Sequence, residues 1–388
     1  MDPILTPEMI HIGSRHYRKN ASKHCFVQTF PASISQIEEN SDAEEADVDE
    51  TDPEILELSK NIIVSDNGYT ATINVPSMFH KFIIGVQHSK RKLLEDEFRC
   101  NIEIPQSGSS SSKIFITGPS RFNVLSACRR MLWIVSDARS RCQPTHFICL
   151  PVTCQTVKDN FQKFRQSILK AASKSAAQDF MGVDSSVFHS VSTLHFTLVT
   201  LILADESEIE QAYDTLRMFC RSDKGLQLFA SGPLNLTLRG LEYMNDDPAS
   251  VHVLYAKLAD SPDFQRLQSI ANELSSLFAD KNLTSTGPYR ADNSVKLHMT
   301  LLNSKYRQER EGQSASTQGF LPHARTPFSI TGILKVAGNF CLLKTSLLTK
   351  LYLCDRLSFD TSTQFYKCCC KIEFNNNSDN ECAHVIKM

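Results

Sequence analysis

Two short segments of the sequence repeat one pattern of histidine, threonine and apolar residues. The first, Leu194–Leu198, reads Leu-His-Phe-Thr-Leu, and the second, Leu297–Leu301, reads Leu-His-Met-Thr-Leu. Chance alone gives about one His-x-Thr in a chain of this composition, and only about 0.01 with leucine on both flanks. The repeat therefore predicts one functional site built from both segments rather than two structural histidines.

The residue types in the repeat fit the cleavage of a phosphodiester without a metal ion. Imidazole titrates near neutral pH, so one of His195 and His298 can remove a proton from the attacking oxygen while the other protonates the leaving oxygen. The hydroxyls of Thr197 and Thr300 can donate hydrogen bonds to phosphoryl oxygens as charge develops. Two histidines without a nearby carboxylate make a poor zinc site, so we expect no metal and no cofactor. The pattern leaves open which histidine is the acid and which is the base.

The spacing within the repeat indicates the elements that must carry it. Residues i and i+2 of a β-strand point to the same face, so each copy would present its histidine and threonine together and its apolar residues on the other face. Lys296 precedes His298 by two residues and would share that face, where it could neutralise phosphate. Tyr243 is a second substrate-binding candidate that could stack on a base, with packing in the protein as the alternative.

The paired His-x-Thr strands resemble the two-histidine phosphoesterase superfamily, which has the LigT-like fold. The resemblance implies a bilobal domain, placed here at residues 143–376, in which two pseudo-symmetric α/β lobes each give one His-x-Thr to a central groove. It also implies action on 2′,3′-cyclic phosphates, 2′-5′ linkages or RNA ends. By this resemblance the catalytic residues are His195, Thr197, His298 and Thr300.

A compact alternation of elements precedes that domain, in the order strand, helix, helix, strand, strand, helix. The predicted elements are Thr70–Val75, Met78–Ile84 with Ser77 as its N-cap, Ser89–Phe98, Asn101–Ile104, Lys113–Thr117 and a long helix from Ser120 to about Arg139. This order resembles a KH domain, a module that binds single-stranded nucleic acid, and we place it at residues 63–142. Together the two domains predict a mixed α/β (α+β) protein.

The loop between the first two helices departs from the KH pattern. A KH domain carries Gly-x-x-Gly there, which lets the sugar-phosphate backbone approach closely. This chain has Gly85 but places His88 at the second glycine position. Either His88 blocks the backbone, or it contacts phosphate together with Lys90, Arg91 and Lys92. A purely structural or protein-contact role for this domain is the alternative to RNA binding.

The long helix also carries the single tryptophan, Trp133, which we expect to pack against the protein.

The chain has 13 cysteines, an odd number, and none of them form a Cys-x-x-Cys motif. This pattern indicates reduced thiols rather than a disulfide framework. The run Cys368–Cys370 is interpreted as part of a strand rather than a zinc site.

Charge is unevenly distributed along the chain. Eleven acids and no base lie between Glu38 and Glu57, although the whole chain has 41 basic and 43 acidic residues. The rest of the molecule is therefore mildly basic, which suits contact with phosphate. We expect residues 1–62 to be a largely disordered arm that contains this acidic strip, and residues 377–388 to be a polar tail. The sequence shows neither a signal peptide nor an apolar run long enough to span a membrane.

The combination of a KH-like domain and a two-histidine phosphoesterase domain resembles a family of activating signal cointegrator complex subunits. The resemblance implies a nuclear protein that binds RNA or single-stranded nucleic acid. Its implied partners are a helicase subunit and other members of that complex, which is linked to transcriptional coactivation and alkylation repair. Two functional hypotheses follow: a metal-independent phosphodiesterase, or a non-catalytic adaptor that binds nucleic acid and the helicase.

Overall fold

The computed structural model describes residues 9–12, 15–18, 58–65, 68–106, 109, 111–175, 178–284, 294–310, 325–374 and 383–388. Strands β1 (Met9–Ile12) and β2 (Arg15–Arg18) form an antiparallel hairpin within a first compact unit, Met1–Leu56. The acidic strip predicted at 38–57 lies outside the described residues. The second unit, Glu57–Met388, contains both predicted domains.

The KH domain has the element order that the sequence predicts, preceded by one strand that the sequence analysis did not predict. Its elements are β3 (Ile62–Ser65), β4 (Gly68–Asn74), α1 (Ser77–Ile84), α2 (Ser89–Phe98), β5 (Asn101–Glu103), β6 (Lys113–Gly118) and α3 (Arg121–Ser140). The strands form one antiparallel sheet in the order β3-β4-β6-β5. Ser120 caps α3 by accepting a hydrogen bond from the Asn123 amide. Ser77 is instead the first residue of α1, with Pro76 at the cap position, so the N-cap prediction was wrong by one residue.

Helices α1 and α3 close the KH core over the sheet, and the periodicity of α3 decides which of its residues are buried. Val124 and Met131 are fully buried, whereas Trp133 is 57% exposed. Position 133 lies nine residues after position 124, a rotation of about 180° around the helix at 3.6 residues per turn. The indole therefore points away from the core, and the expectation that Trp133 packs inside the protein is wrong.

The phosphoesterase domain contains two sheets and their covering helices. Its elements are β7 (His146–Pro151), α4 (Gln155–Ala172), β8 (His195–Leu201), α5 (Glu206–Arg221), α6 (Asp223–Phe229), β9 (Leu234–Tyr243), β10 (Val253–Leu258), α7 (Pro262–Asp280), β11 (Met299–Asn303), α8 (Lys305–Arg310), α9 (Thr331–Ala337), β12 (Cys341–Leu348), β13 (Lys350–Asp360), β14 (Phe365–Phe374) and β15 (Ala383–Lys387). One sheet has the order β15-β14-β13-β7-β8 and the other β11-β10-β9-β12. A continuous cluster of buried apolar side chains joins the two lobes.

The end of this domain differs from the prediction. Strand β15 pairs with β14 in an antiparallel register that matches Ile372 with Val385. Ala383 is buried and Val385 packs against the main core, so the last strand completes the sheet. The polar tail predicted at 377–388 is therefore wrong from Ala383 onward, and residues 375–382 lie outside the described part.

The KH domain and the phosphoesterase domain share a buried polar joint at the end of α3. The guanidinium of Arg139 makes two hydrogen bonds with the carboxylate of Glu208 on α5 and a third with the Ile202 carbonyl. It also lies 4.6 Å from the ring centroid of Phe79 on α1. Ile202 is buried among the KH core residues, so the connection near residue 142 is a packed junction rather than a flexible linker.

None of the helices in the described ranges combines the length and the apolar character needed to cross a membrane.

Candidate active site and nucleic-acid loop

The two His-x-Thr segments lie on the edge strands of their sheets, β8 in one lobe and β11 in the other. The segment that leads into β8 pairs with β11, since the His189 amide donates to the Leu301 carbonyl at 2.8 Å and the Asn303 amide donates to the Val187 carbonyl at 2.8 Å. The two edges are thereby held side by side. The two strands contact each other, and the charge of His298 acts on His195, so the two motifs lie close together.

The alternation of faces is confirmed in both copies. In the first copy the apolar residues Leu194, Phe196 and Leu198 are buried, while His195 and Thr197 are half-buried. The second copy follows the same pattern, with Met299 and Leu301 fully buried and Leu297 packed against the core. His298 and Thr300 are half-buried on the opposite side. His298 itself stands one residue before the start of β11.

The two imidazoles are oriented by matching hydrogen bonds. Nδ1 of His195 lies 2.7 Å from the Thr193 carbonyl oxygen, and Nδ1 of His298 lies 2.8 Å from the Lys296 carbonyl oxygen. A carbonyl oxygen can only accept, so Nδ1 carries the proton in both rings. This fixes the tautomer and leaves the Nε2 lone pair of each neutral histidine as the atom that can accept or return a proton.

Aromatic rings surround His195. Its ring centroid lies 5.1 Å from Phe147, 5.7 Å from Tyr366, 6.2 Å from Phe365 and 6.0 Å from His189. Burial lowers the pKa of His195 to about 4, the hydrogen bond to the Thr193 carbonyl opposes this shift, and the positive charge of His298 adds to it. His195 is therefore neutral at pH 7 and has the protonation state of a general base.

His298 has a more polar environment. Its ring lies 5.5 Å from Tyr255, and the Lys296 ammonium lies 5.4 Å from the centroid of the same tyrosine. Burial lowers the pKa of His298, the bond to the Lys296 carbonyl opposes this, and the Lys296 charge lowers it further. The Tyr255 hydroxyl donates to Glu242 at 3.0 Å, and Lys257 pairs with the same carboxylate at 2.7 Å. Lys296 is exposed and stands beside the second motif, as its spacing predicts.

Tyr243 occupies a different environment from Lys296. It ends β9, opposite Leu254 of β10, and packs against the main apolar core. The structure thus places Tyr243 in the packing role that was its alternative.

Sequence reasoning missed the aromatic surroundings of His195. Phe147, Phe365 and Tyr366 belong to β7 and β14, and sheet pairing alone brings them beside β8. His189 precedes His195 by six residues, a spacing that matches no motif. Burial and the charge of His195 lower the pKa of His189 to about 3. A single sequence offers no local signal for these contacts, because the residues involved are distant along the chain or aperiodic.

The KH loop adopts a strained, left-handed backbone. Gly85, Gln87 and His88 have φ angles of 69°, 50° and 63°. A Cβ atom on Gly85 would lie 2.8 Å from the Lys90 side chain, so only glycine fits there. Gln87 and His88 adopt a conformation that favours glycine, at some energetic cost.

The predicted contact residues of this loop divide into exposed and engaged side chains. His88, Lys90 and Lys92 are exposed. Arg91 is tied to Glu95 by a 3.0 Å ion pair, and Glu95 also accepts from the Ile102 amide. The first turn of α2 contains no acidic residue, so its amide groups and the two lysines present positive potential at one point of the surface.

No group of three or more His, Cys, Asp or Glu residues suited to a metal ion occurs within the ranges that the structure describes. Cys368 to Cys370 lie within β14, where they serve as strand residues.

Comparison with known families gives two matches that together cover most of the second unit. The profile of the AKAP7 2′5′ RNA ligase-like domain matches residues 144–374, and the KH domain profile matches residues 70–132. Both agree with the domain order in the structure.

The chain is also similar to a characterised protein along nearly its whole length. It is 28% identical over 376 residues to mouse (Mus musculus) activating signal cointegrator 1 complex subunit 1, covering 94% of this chain and 98% of the relative. Among solved structures, the first KH type I domain of human vigilin is 30% identical over 20% of this chain and 80% of its own length, with a TM-score of 0.18. The E. coli LigT complex with 3′-AMP is 14% identical over 63% of this chain and 95% of its own, with a TM-score of 0.30.

Proposed function

The chain belongs to the AKAP7 2′5′ RNA ligase-like domain family, and we propose that its two His-x-Thr motifs form a metal-independent phosphodiesterase site for RNA or cyclic phosphate ends. The KH domain supports nucleic-acid binding by the same chain. The main support for this proposal is that the two motifs have the same hydrogen-bond geometry. In each, an Nδ1–H···O=C bond of 2.7 or 2.8 Å leaves Nε2 for proton transfer.

In this mechanism His195 is the base and His298 is the acid. Nε2 of His195 removes a proton from water, or from an attacking ribose hydroxyl, as that oxygen forms a bond to phosphorus. Nε2 of His298, protonated in the complex with the anionic substrate, gives its proton to the oxygen whose bond to phosphorus breaks. The assignment rests on the stronger depression of the His195 pKa, to about 4, which keeps that ring neutral.

The remaining polar groups act on the phosphoryl oxygens. Thr197 and Thr300 share a strand face with their histidines, so their hydroxyls can donate to the two non-bridging oxygens as negative charge builds up. Lys296 is placed beside His298 to balance the substrate charge. Each step moves only a proton or an oxygen–phosphorus bond, so the reaction needs no oxidant or reductant.

The test is hydrolysis of adenosine 2′,3′-cyclic phosphate and of a 2′-5′ linked dinucleotide by the purified full chain in chelator. We expect His195→Ala or His298→Ala to lower kcat/KM by roughly 100-fold to 10,000-fold, the usual contribution of general acid–base catalysis. The control is His384→Ala, a histidine in β15 that belongs to neither motif. A double alanine variant as active as the wild type would overturn the proposal.

The second candidate is a non-catalytic adaptor of a nuclear helicase complex. Its support is the similarity to mouse activating signal cointegrator 1 complex subunit 1 over 94% of the chain. The adaptor hypothesis predicts nuclear localisation, co-purification with a helicase subunit, and full cellular complementation by the double alanine variant. Loss of complementation with co-purification intact favours the enzyme, whereas failure to co-purify argues against the adaptor.

A further inference from the structure

We propose that the exposed stripe of α3 is a docking surface for an acidic protein segment that carries apolar anchors. The surface, called here the α3 stripe, consists of Arg121, Phe122, Arg129, Arg130 and Trp133. It lies on the side of the KH domain formed by its last helix, whereas the nucleic-acid loop joins the first two helices.

Both aromatic residues of the α3 stripe are exposed to solvent and lie outside the KH core. Phe122 is 56% exposed and Trp133, the single tryptophan of the chain, is 57% exposed. Eleven residues separate them, which is about three helical turns and about 16 Å along the axis. They therefore stand on one line along α3. Val64 of the neighbouring edge strand β3 is 77% exposed. Large apolar side chains grouped on a polar surface are typical of a protein interaction site.

The positive charge of the α3 stripe indicates that its partner is acidic. Arg129 lies between the two aromatic residues on the same helical face, and the Arg130 guanidinium lies 4.7 Å from the Trp133 ring centroid. No acidic side chain among the described residues pairs with Arg129 or Arg130. Asp137 on the same helix is engaged by Arg141. A surface of arginines interleaved with Trp and Phe fits an acidic segment whose apolar side chains cover the rings.

The geometry favours protein over nucleic acid as the occupant. A base would need an open ring face on which to stack, but the Arg130 guanidinium lies over the ring of Trp133. Phe122 and Val64 are exposed apolar side chains, which cannot form hydrogen bonds with a base. An acidic amphipathic helix, by contrast, can place apolar residues at matching helical spacing along the stripe and carboxylates against the arginines.

Trp133 supplies the readout, because it is the single tryptophan. The probe is a tryptophan-free, fluorescein-labelled acidic peptide of about 20 residues with leucines at helical i, i+4, i+7 and i+11 spacing. It is titrated against the full chain at physiological salt. We expect saturable binding by peptide anisotropy together with a blue shift of the Trp133 emission. Arg129→Glu with Arg130→Glu should weaken binding at least 10-fold, and Phe122→Ala at least 5-fold.

Two controls separate docking from general electrostatics. The same peptide with serine for leucine should bind at least 10-fold more weakly. The matched variant Lys163→Glu with Lys170→Glu, a double charge reversal on α4, should leave binding unchanged. Circular dichroism checks that the variants at these surface positions keep their fold.

Three results would overturn the proposal. The first is no saturable binding of the leucine-containing peptide up to millimolar concentration. The second is equal binding of the serine peptide, which would reduce the effect to charge alone. The third is a Trp133 shift produced by single-stranded RNA, or by raising the concentration of the chain alone, since nucleic acid or a second copy would then be the occupant.

Discussion

The two motif histidines have the same kind of hydrogen-bond partner and different surroundings, so one motif can supply both an acid and a base. Each ring is held by a carbonyl two residues earlier. His195 is enclosed by aromatic rings, whereas His298 has a lysine and a tyrosine beside it. The pKa values of the two histidines therefore differ because of the side chains around them, and not because of the motif, which is the same in both.

This difference predicts the pH dependence of catalysis. The limbs of kcat/KM report the free enzyme. The base must be neutral, and the pKa of His195 is lowered to about 4, so activity should persist until the pH falls toward 4. The acid must be protonated, and burial lowers the pKa of His298 from its ordinary value of 6.5, so activity should already decline as the pH rises toward 7. We therefore expect a bell-shaped pH profile of kcat/KM, with its maximum between the pKa of His195 and the pKa of His298. A maximum above pH 7 would contradict the assignment of roles.

A substitution of Lys296 tests more directly whether its charge lowers the pKa of His298. Its positive charge contributes to lowering the pKa of His298. Lys296→Met should therefore move the alkaline limb of kcat/KM to higher pH while also raising KM through the lost phosphate contact. The control is Lys257→Met, because Lys257 pairs with Glu242 and is not among the groups that shift His298. If both variants move the limb equally, Lys296 has no specific role.

At the scale of elements, the KH loop shows how positive charge is concentrated without the second glycine. Gly85 is confined by the Lys90 side chain, and Lys90 and Lys92 extend from the uncapped start of α2. Arg91, the third predicted contact, is bound to Glu95 instead. The two lysines are therefore the residues expected to meet phosphate.

Lys90→Glu with Lys92→Glu should weaken binding of single-stranded RNA and flatten its salt dependence. Each lost phosphate contact on a single strand removes about 0.7 from the slope of log K against log salt, so the pair should remove about 1.4. Fluorescence anisotropy across a salt series measures this. The matched control, Lys60→Glu with Lys113→Glu, changes two other exposed lysines. An unchanged slope in the loop variant would place RNA elsewhere on the chain.

The elements also show what local sequence can predict. Helices α1, α2 and α3 lie within one or two residues of prediction, because capping residues and apolar periodicity are local signals. The face of each His-x-Thr pair follows from strand alternation alone. The aromatic rings around His195 come from β7 and β14, whose pairing is set by sheet assembly. Strand β15 was missed because a short apolar run gains its stability only from the neighbouring strand β14.

At the scale of the whole molecule, the Arg139 joint makes the KH domain and the phosphoesterase domain one structural unit. Both side chains are largely buried, at 7% and 12% side-chain exposure for Arg139 and Glu208. Glu208 also accepts from the Ala204 amide, and Ile202 is shared with the KH core. The KH loop and the two His-x-Thr motifs thus lie on domains whose junction is fixed by packing.

Removing one partner of this joint should uncouple the domains. Arg139→Ala leaves the Glu208 carboxylate buried without its counter-charge, which typically lowers the free energy of unfolding by about 3–5 kcal/mol. Urea unfolding can be followed by Trp133 fluorescence, which reports the KH domain, and by far-ultraviolet circular dichroism, which reports the whole chain. The two transitions should coincide in the wild type and separate in the variant.

Arg141→Ala is the control for this prediction. Its pair with Asp137 is exposed, so the free energy of unfolding should change by no more than about 0.5 kcal/mol. Coincident transitions in Arg139→Ala would mean that apolar packing around Ile202, and not the ion pair, couples the two domains.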